Sequence, residues 1–150
     1  MTEAVMTSPA YFMQQALLAG RQALPGCLPN PPVGCVLVQG QQIVSQGFTQ
    51  PPGEHHAEAM ALELWPGDCS GLTAYVTLEP CSFQGRTPAC AQALVQRGVA
   101  RVVVAMLDPD PRNAGAGIRI LREAGIEVQV GLLGAQAKED LRAYLLAGAP

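Results

Sequence analysis

Charge is what this sequence is shortest of. Only 14% of its 150 residues are charged, and nine Lys and Arg against twelve Asp and Glu leave a formal net charge of −3. Binding to a phosphate backbone draws on a basic excess, so a generic polyanion-coating surface is excluded and no nucleic-acid partner is expected. No apolar run approaches the length that crosses a bilayer, and the opening MTEAVMTSPAYF lacks the basic and apolar regions of a secretory signal. The expected location is cytoplasmic, with no membrane partner. Cys27, Cys35, Cys69, Cys81 and Cys90 make an odd count in a chain too large to need covalent staples, which favours free thiols or metal ligands over a disulfide framework. Internal repeats, low-complexity tracts and linkers are missing too, so any site is expected within a single domain spanning 1-150.

What the sequence does have is apolar patterning, with 49% hydrophobic residues. Ser8-Pro9 reads as an N-cap and first helical residue, Phe12, Met13, Ala16 and Leu17 as the helix's apolar stripe, and Pro25-Gly26 as its stop. Val33 to Val38, a Gln39-Gly40 turn and Gln42 to Phe48 read as a β-hairpin. A helix from His56 carries Ala57, Met60, Ala61 and Leu64 on one face and stops at Trp65-Pro66-Gly67. Strands are expected over Leu72 to Leu78, Arg101 to Met106 and Ile126 to Val130. Helices are expected from Pro88 to about Arg97, around Ile118 to Ala124, and from about Ala135 to Leu146. This order calls for an α/β fold in three layers, a mixed five-stranded sheet with helices on both faces. The irregular stretches Pro25 to Pro32, Thr49 to His55, Glu79 to Thr87 and Leu107 to Gly115 fall at strand ends and helix starts, where α/β sheets bind ligands.

Three residues there match the donor preferences of zinc. Imidazole nitrogen and thiolate sulfur are its favoured ligands, and a hydrolytic site keeps three of them with a fourth position for water. His56 at a helix start, Cys81 at a strand end and Cys90 in the first turn of the next helix supply that set, so two helix N-termini converge whose free N–H groups favour thiolate over thiol. His55 is a competing imidazole, although adjacent side chains leave a helix start in different directions. The bland alternative is two buried apolar cysteines and a surface histidine; Cys27, Cys35 and Cys69 read as plain cysteines of that kind. His-Ala-Glu followed by Pro-Cys and a second cysteine is the arrangement of zinc deaminases, in which the glutamate, here Glu58, moves protons and does not bind metal. A first-turn carboxylate placed for the helix dipole is the other reading of Glu58. Eight residues separate Cys81 from Cys90, against two in the nucleic-acid-acting enzymes.

The segments PNPPVGCVLV (Pro29 to Val38), HAEAMAL (His56 to Leu62), YVTLEPC (Tyr75 to Cys81), GRTPAC (Gly85 to Cys90) and GVARVVVAMLDPDP (Gly98 to Pro111) carry a resemblance. From about Tyr11 to Leu133 the chain resembles the deaminase domain of the bacterial riboflavin-biosynthesis deaminase/reductase family, in the cytidine-deaminase-like superfamily. The resemblance implies a cytidine-deaminase-like fold and a Zn2+ cofactor on His56, Cys81 and Cys90, with Glu58 as proton shuttle. It also implies a small aminopyrimidine substrate, 2,5-diamino-6-ribosylamino-4(3H)-pyrimidinone 5′-phosphate, converted to the corresponding uracil and ammonia, with Asn30 and Arg86 in substrate binding. Thr49 and Phe83 stand where that family commonly has histidine, and Asp110 where it has asparagine. These substitutions bear on substrate recognition more than on hydrolysis, so a deaminase of another small amino-heterocycle or nucleoside is the alternative. A catalytically silent zinc-stabilised binding module is a further one, and base editing in RNA or DNA stands last.

The remaining expectations follow from residue chemistry. Guanidinium matches phosphate oxygens, making Arg86 and Arg112 candidate phosphate contacts as well as ordinary surface arginines. Asn30 reads either as a ring contact or as the holder of a Pro-rich turn, and Phe83 as a stacking platform or a loop anchor. Asp108 and Asp110 read as pocket residues or as caps of the helix after their loop. The family commonly continues into a reductase domain and this sequence ends at Pro150, which leads to the expectation either of a separate reductase in the pathway or of a deaminase that has moved to another substrate. The apolar last helix and low charge point to a homodimer.

Overall fold

The computed structural model describes residues 8–83 and 89–147. Helix α1 (Pro9–Arg21) is capped as its sequence dictates: the Ser8 hydroxyl oxygen accepts from the Tyr11 N–H at 3.1 Å, and proline follows at the first helical position. The helix ends at Arg21, earlier than Pro25-Gly26, and residues 22–29 continue as turns. Strands β1 (Gly34–Gln39) and β2 (Gln42–Phe48) form the hairpin, and its turn falls at Gly40-Gln41, where Gly40 takes φ +63. Then follow α2 (Ala57–Glu63), β3 (Leu72–Val76), α3 (Cys90–Arg97), β4 (Arg101–Val104), α4 (Ala116–Glu123), β5 (Glu127–Val130) and α5 (Gly134–Ala147).

The five strands form one sheet in the order β2-β1-β3-β4-β5. β3, β4 and β5 are parallel, while β1 runs against both β2 and β3, so β1 alone opposes the rest. The sheet is mixed and five-stranded, as the element order required. Strands β3 and β4 are shorter than the apolar runs that announce them. After Val76 the chain leaves the ladder, and Thr77 ties back to Gly34 through both its N–H and its hydroxyl oxygen. Leu78 and Met106 belong to the connections that build the site.

Two glycines fix how the helices lie on the sheet. A Cβ at Gly34 would run into the backbone of Ala16 and Gly20 on α1, and one at Gly47 into the backbone of Ala57 and Ala61 on α2. Gly47 pairs with Cys35, the neighbour of Gly34, and neighbouring residues point to opposite faces. Helices α1 and α2 therefore cover opposite sides of the sheet. α5 joins α1 through an Arg21–Asp140 ion pair of 2.9 Å. Between the layers Met13, Leu37, Leu72, Leu94, Leu121 and Leu141 are fully buried.

Gly34→Ala is expected to destabilise the fold by about 3 kcal/mol, because the added methyl has no room against a helix backbone that cannot rotate away. Chemical denaturation reads this directly; a loss under about 0.5 kcal/mol would mean that α1 rides more loosely on β1 than the packing shows.

Candidate functional site

Among the described residues, the candidates gather at one end of the strands of the sheet. The C-terminal ends of β2, β3 and β4 and the entrance to antiparallel β1 lie there together, as strand direction requires. The segments leaving those ends line a cavity of about 240 Å³: Asn30, Pro31 and Val33 before β1, Thr49 and His56 after β2, Leu78, Glu79, Cys81 and Phe83 after β3, and Asp108 and Arg112 after β4. Its size suits a small heterocycle better than a large ligand. A roomier surface depression of about 600 Å³ lies against α4 and β5, but Leu107, Ile118, Arg119, Arg122, Glu123 and Val130 bring no imidazole or thiol to it.

Beside the smaller cavity, which His56 and Cys81 line, His56, Cys81 and Cys90 bring their ligand atoms within 4.8 Å of one another. His56 is the N-cap residue of α2, and Cys90 is the first residue of α3. His56 Nδ1 stands 3.4 Å from Cys90 Sγ and 3.9 Å from Cys81 Sγ. A tetrahedral ion with zinc–nitrogen and zinc–sulfur bonds of about 2.0 and 2.3 Å would separate those atoms by about 3.6 Å. The donor set therefore fits zinc in chemistry and in spacing. His55 turns outward and pairs with Glu63 at 3.0 Å, which settles which of the two imidazoles faces the site.

The surrounding groups favour thiolate. The Cys90 N–H donates to Cys81 Sγ at 3.2 Å. The Cys81 thiol is pulled down to about 4, chiefly by the Cys90 side chain donating to it and further by His56 and that N–H, against the opposing effect of burial. Cys90 is driven the other way because its proton is the one shared with Cys81, and burial adds to the rise. His56 is raised, first by its contact with Cys81.

Glu58 sits on the first turn of α2 and is 4% exposed. Burial, aided by the negative charge at Cys81, pushes its carboxyl up to about 7. A dication held by the three donors would oppose that rise. The carboxylate lines the cavity beside His56 and Cys81 but is outside the converging ligand set.

These features decide the relationship. The sequence pattern of the family described as "Cytidine and deoxycytidylate deaminase zinc-binding region" matches residues 6–106. The chain belongs to this zinc-binding deaminase family. Within it, the riboflavin-biosynthesis deaminases are similar over most of the chain. A diaminohydroxyphosphoribosylamino-pyrimidine deaminase of Buchnera aphidicola is 40% identical over 129 residues, 86% of this chain and 88% of that protein. The riboflavin biosynthesis protein RibD of Escherichia coli is 47% identical over 90% of this chain, which spans only 37% of the longer protein. Acinetobacter baumannii RibD superposes with a TM-score of 0.88 at 46% identity, covering 92% of this chain and 39% of that one. The three-layer sheet is thus the fold of the deaminase family, whose zinc-binding character agrees with the donor set.

The remaining candidates separate by what already engages them. Thr49 lines the cavity, but its hydroxyl accepts from the Val33 N–H at 3.0 Å and donates to the Pro31 carbonyl at 2.9 Å, holding the wall before β1. Asn30 is fixed through its backbone to Cys27, and among the described residues no hydrogen bond engages its side-chain amide. Phe83 lines the mouth with the Arg112 guanidinium 4.6 Å from its ring centre. Asp108 lines the cavity, whereas Asp110 is outside the lining and pairs with Arg112 at 2.7 Å. Arg86 and Pro88 lie outside the described residues.

Neither aspartate caps α4 as the sequence suggested. They shape their own loop instead: Asp108 Oδ1 accepts from the Asp110 N–H, and Asp110 Oδ1 from the Arg112 N–H. The cap comes from Glu79, 3% exposed and distant in sequence, which reading by residue type missed. Its carboxylate accepts from the N–H groups of Asp108 at 3.1 Å, Gly115 at 3.0 Å and Ile118 at 3.2 Å. The one signal for it was an acidic residue at the end of an apolar strand, where a buried carboxylate needs donors. Asn113 adds a second tie, donating to the Pro80 carbonyl at 3.2 Å. Glu79→Ala is expected to cost about 3 kcal/mol by orphaning three N–H groups, and to raise the KM of a deaminated substrate by loosening the Asp108 wall. Denaturation midpoints and steady-state kinetics check this; wild-type values in both would remove Glu79 from the account.

Proposed function

We propose that this protein deaminates 2,5-diamino-6-ribosylamino-4(3H)-pyrimidinone 5′-phosphate at C2, producing the corresponding uracil and ammonia in riboflavin biosynthesis. One observation carries this reading: His56, Cys81 and Cys90 converge beside the buried carboxylate of Glu58, in a chain 40% identical over most of its length to a deaminase named for that substrate. His56, Cys81 and Cys90 are the zinc ligands in this proposal. Zinc when bound would supply Lewis-acid polarisation and lower the pKa of water. Glu58 takes one proton from water and delivers it to the ring nitrogen, then takes the second from the hydroxyl added at C2 and delivers it to the leaving amine as the carbonyl forms, so one buried carboxyl serves both directions. Asn30 reads the ring through an amide that both donates and accepts, Phe83 and Asp108 bound the cavity, and Arg86 and Arg112 meet the phosphate.

Residues 1-150 act as a single deaminase domain in the cytoplasm, as a symmetric homodimer, and a reductase consumes the product. Two similar proteins of known structure contain more than this domain, and the one from Thermotoga maritima is described as both deaminase and uracil reductase. A second reading, deamination of another small aminated ring, draws on the aromatic Phe83 and the acidic Asp110 at the cavity mouth. Among the described residues no helix is long and apolar enough to cross a membrane.

The test is ammonia release from the phosphoribosylated diaminopyrimidine by zinc-loaded protein, with bound metal quantified. About one zinc per chain with turnover supports the proposal. Zinc with no ammonia from this substrate, but release from another aminated heterocycle, overturns the substrate and keeps the chemistry.

A further inference from the structure

Asp110 stands outside the cavity, yet it controls the cation that borders it. Arg112 Nε lies 3.2 Å from both Asp110 carboxylate oxygens, and Arg112 Nη2 lies 2.7 Å from Oδ2. The same carboxylate takes the Arg112 backbone N–H at 2.9 Å, so side chain and backbone are held together. The guanidinium lies over Phe83, which lines the mouth. Among the described residues no acceptor engages Arg112 Nη1. The arginine is thus oriented toward the cavity mouth by a stack of Phe83 and a carboxylate clamp, while the clamp engages the side-on Nε and Nη2 donors, one of the two pairs that a phosphate could use.

We propose that Asp110 is a specificity-determining residue that competes with an anionic group of the substrate for Arg112, lowering the preference for phosphorylated over dephosphorylated ligands. This rests on the proposed reading of the cavity as a site for a phosphoribosylated pyrimidine. A phosphate monoester at neutral pH carries between one and two negative charges and takes guanidinium N–H donors in pairs. With Asp110 in place it finds Nη1 free, Nε and one edge of Nη2 already engaged, and an extra carboxylate close by. Asp108, on the same loop and in the cavity lining, adds to the negative side of the balance. The site therefore tolerates an anion without being built to demand one.

Asp110→Asn separates charge from shape. The amide oxygen still accepts from the Arg112 backbone N–H, so the turn is kept, but the ion pair with the guanidinium is gone. Calorimetry on the zinc-loaded protein would use ribose 5-phosphate and ribose as probes, with wild type, D110N, R112A and the double variant. The expected result is that D110N shifts the affinity ratio toward ribose 5-phosphate by about fivefold, the size of an exposed ion pair, and that the shift vanishes in the Arg112→Ala background. An unchanged ratio in D110N overturns the proposal. So does an equal gain without Arg112, which would mean direct repulsion by Asp110, or the absence of any ribose 5-phosphate binding to D110N. Ammonia release is measured separately: an Arg112-dependent shift in a protein that does not deaminate the pyrimidine removes the reaction assignment and leaves this inference standing.

Discussion

Glu58→Gln is expected to keep its zinc and lose turnover by about 10³-fold or more, within the upper range of general acid–base contributions. The substitution keeps the size of a side chain that is 4% exposed. It also removes a carboxylate that burial already disfavours, so the fold should not suffer. An amide cannot accept the proton of water and return it to the leaving amine. Single-turnover ammonia release, with zinc quantified on the same sample, makes the measurement. Activity within tenfold of wild type would show that another group moves the proton, and loss of zinc would make Glu58 a ligand, contrary to its position outside the converging set.

Cys90→Ser should weaken zinc binding by more than about 100-fold and abolish deamination with it, since a hard hydroxyl replaces one of the soft donors that select this metal. Cys90 starts α3 and is buried at 1% exposure, and serine fits the same space, so the helix should persist. Competition with a chromogenic chelator gives the affinity. Cys69→Ser supplies the control: that buried thiol belongs to a core cluster away from the donors, and its loss should leave zinc affinity unchanged. Equal zinc affinity in Cys90→Ser and wild type would dissolve the proposed ligand set.

Most of the architecture was legible from periodicity. Parallel β4 and β5 came from a near-continuous apolar run and a short alternating strand joined by a helical stretch, and the antiparallel pair from two runs around a short Gly-containing turn. Ends of elements were less legible. Apolar character continues through Leu78 and Met106 because those residues remain near the core, but the hydrogen-bond ladder stops at Val76 and Val104. Composition reports burial and not pairing.

The sequence by itself determined the fold class and the candidate reactive set. Zinc chemistry restricts which residue types serve, and His56, Glu58, Cys81 and Cys90 were the few that stood at helix starts and strand ends in the deaminase spacing. Only the tertiary structure decided between His55 and His56, because both are imidazoles at the same turn and direction alone distinguishes them. It also reassigned the polar residues around the cavity: Thr49 holds the wall before β1, Glu79 caps α4, and Asp110 clamps Arg112. A metal ligand is marked by rare chemistry, whereas a hydroxyl or carboxylate acts according to the donor or acceptor that folding sets beside it. Such partners come from segments distant in the chain, and their identity is a property of the packed end of the sheet.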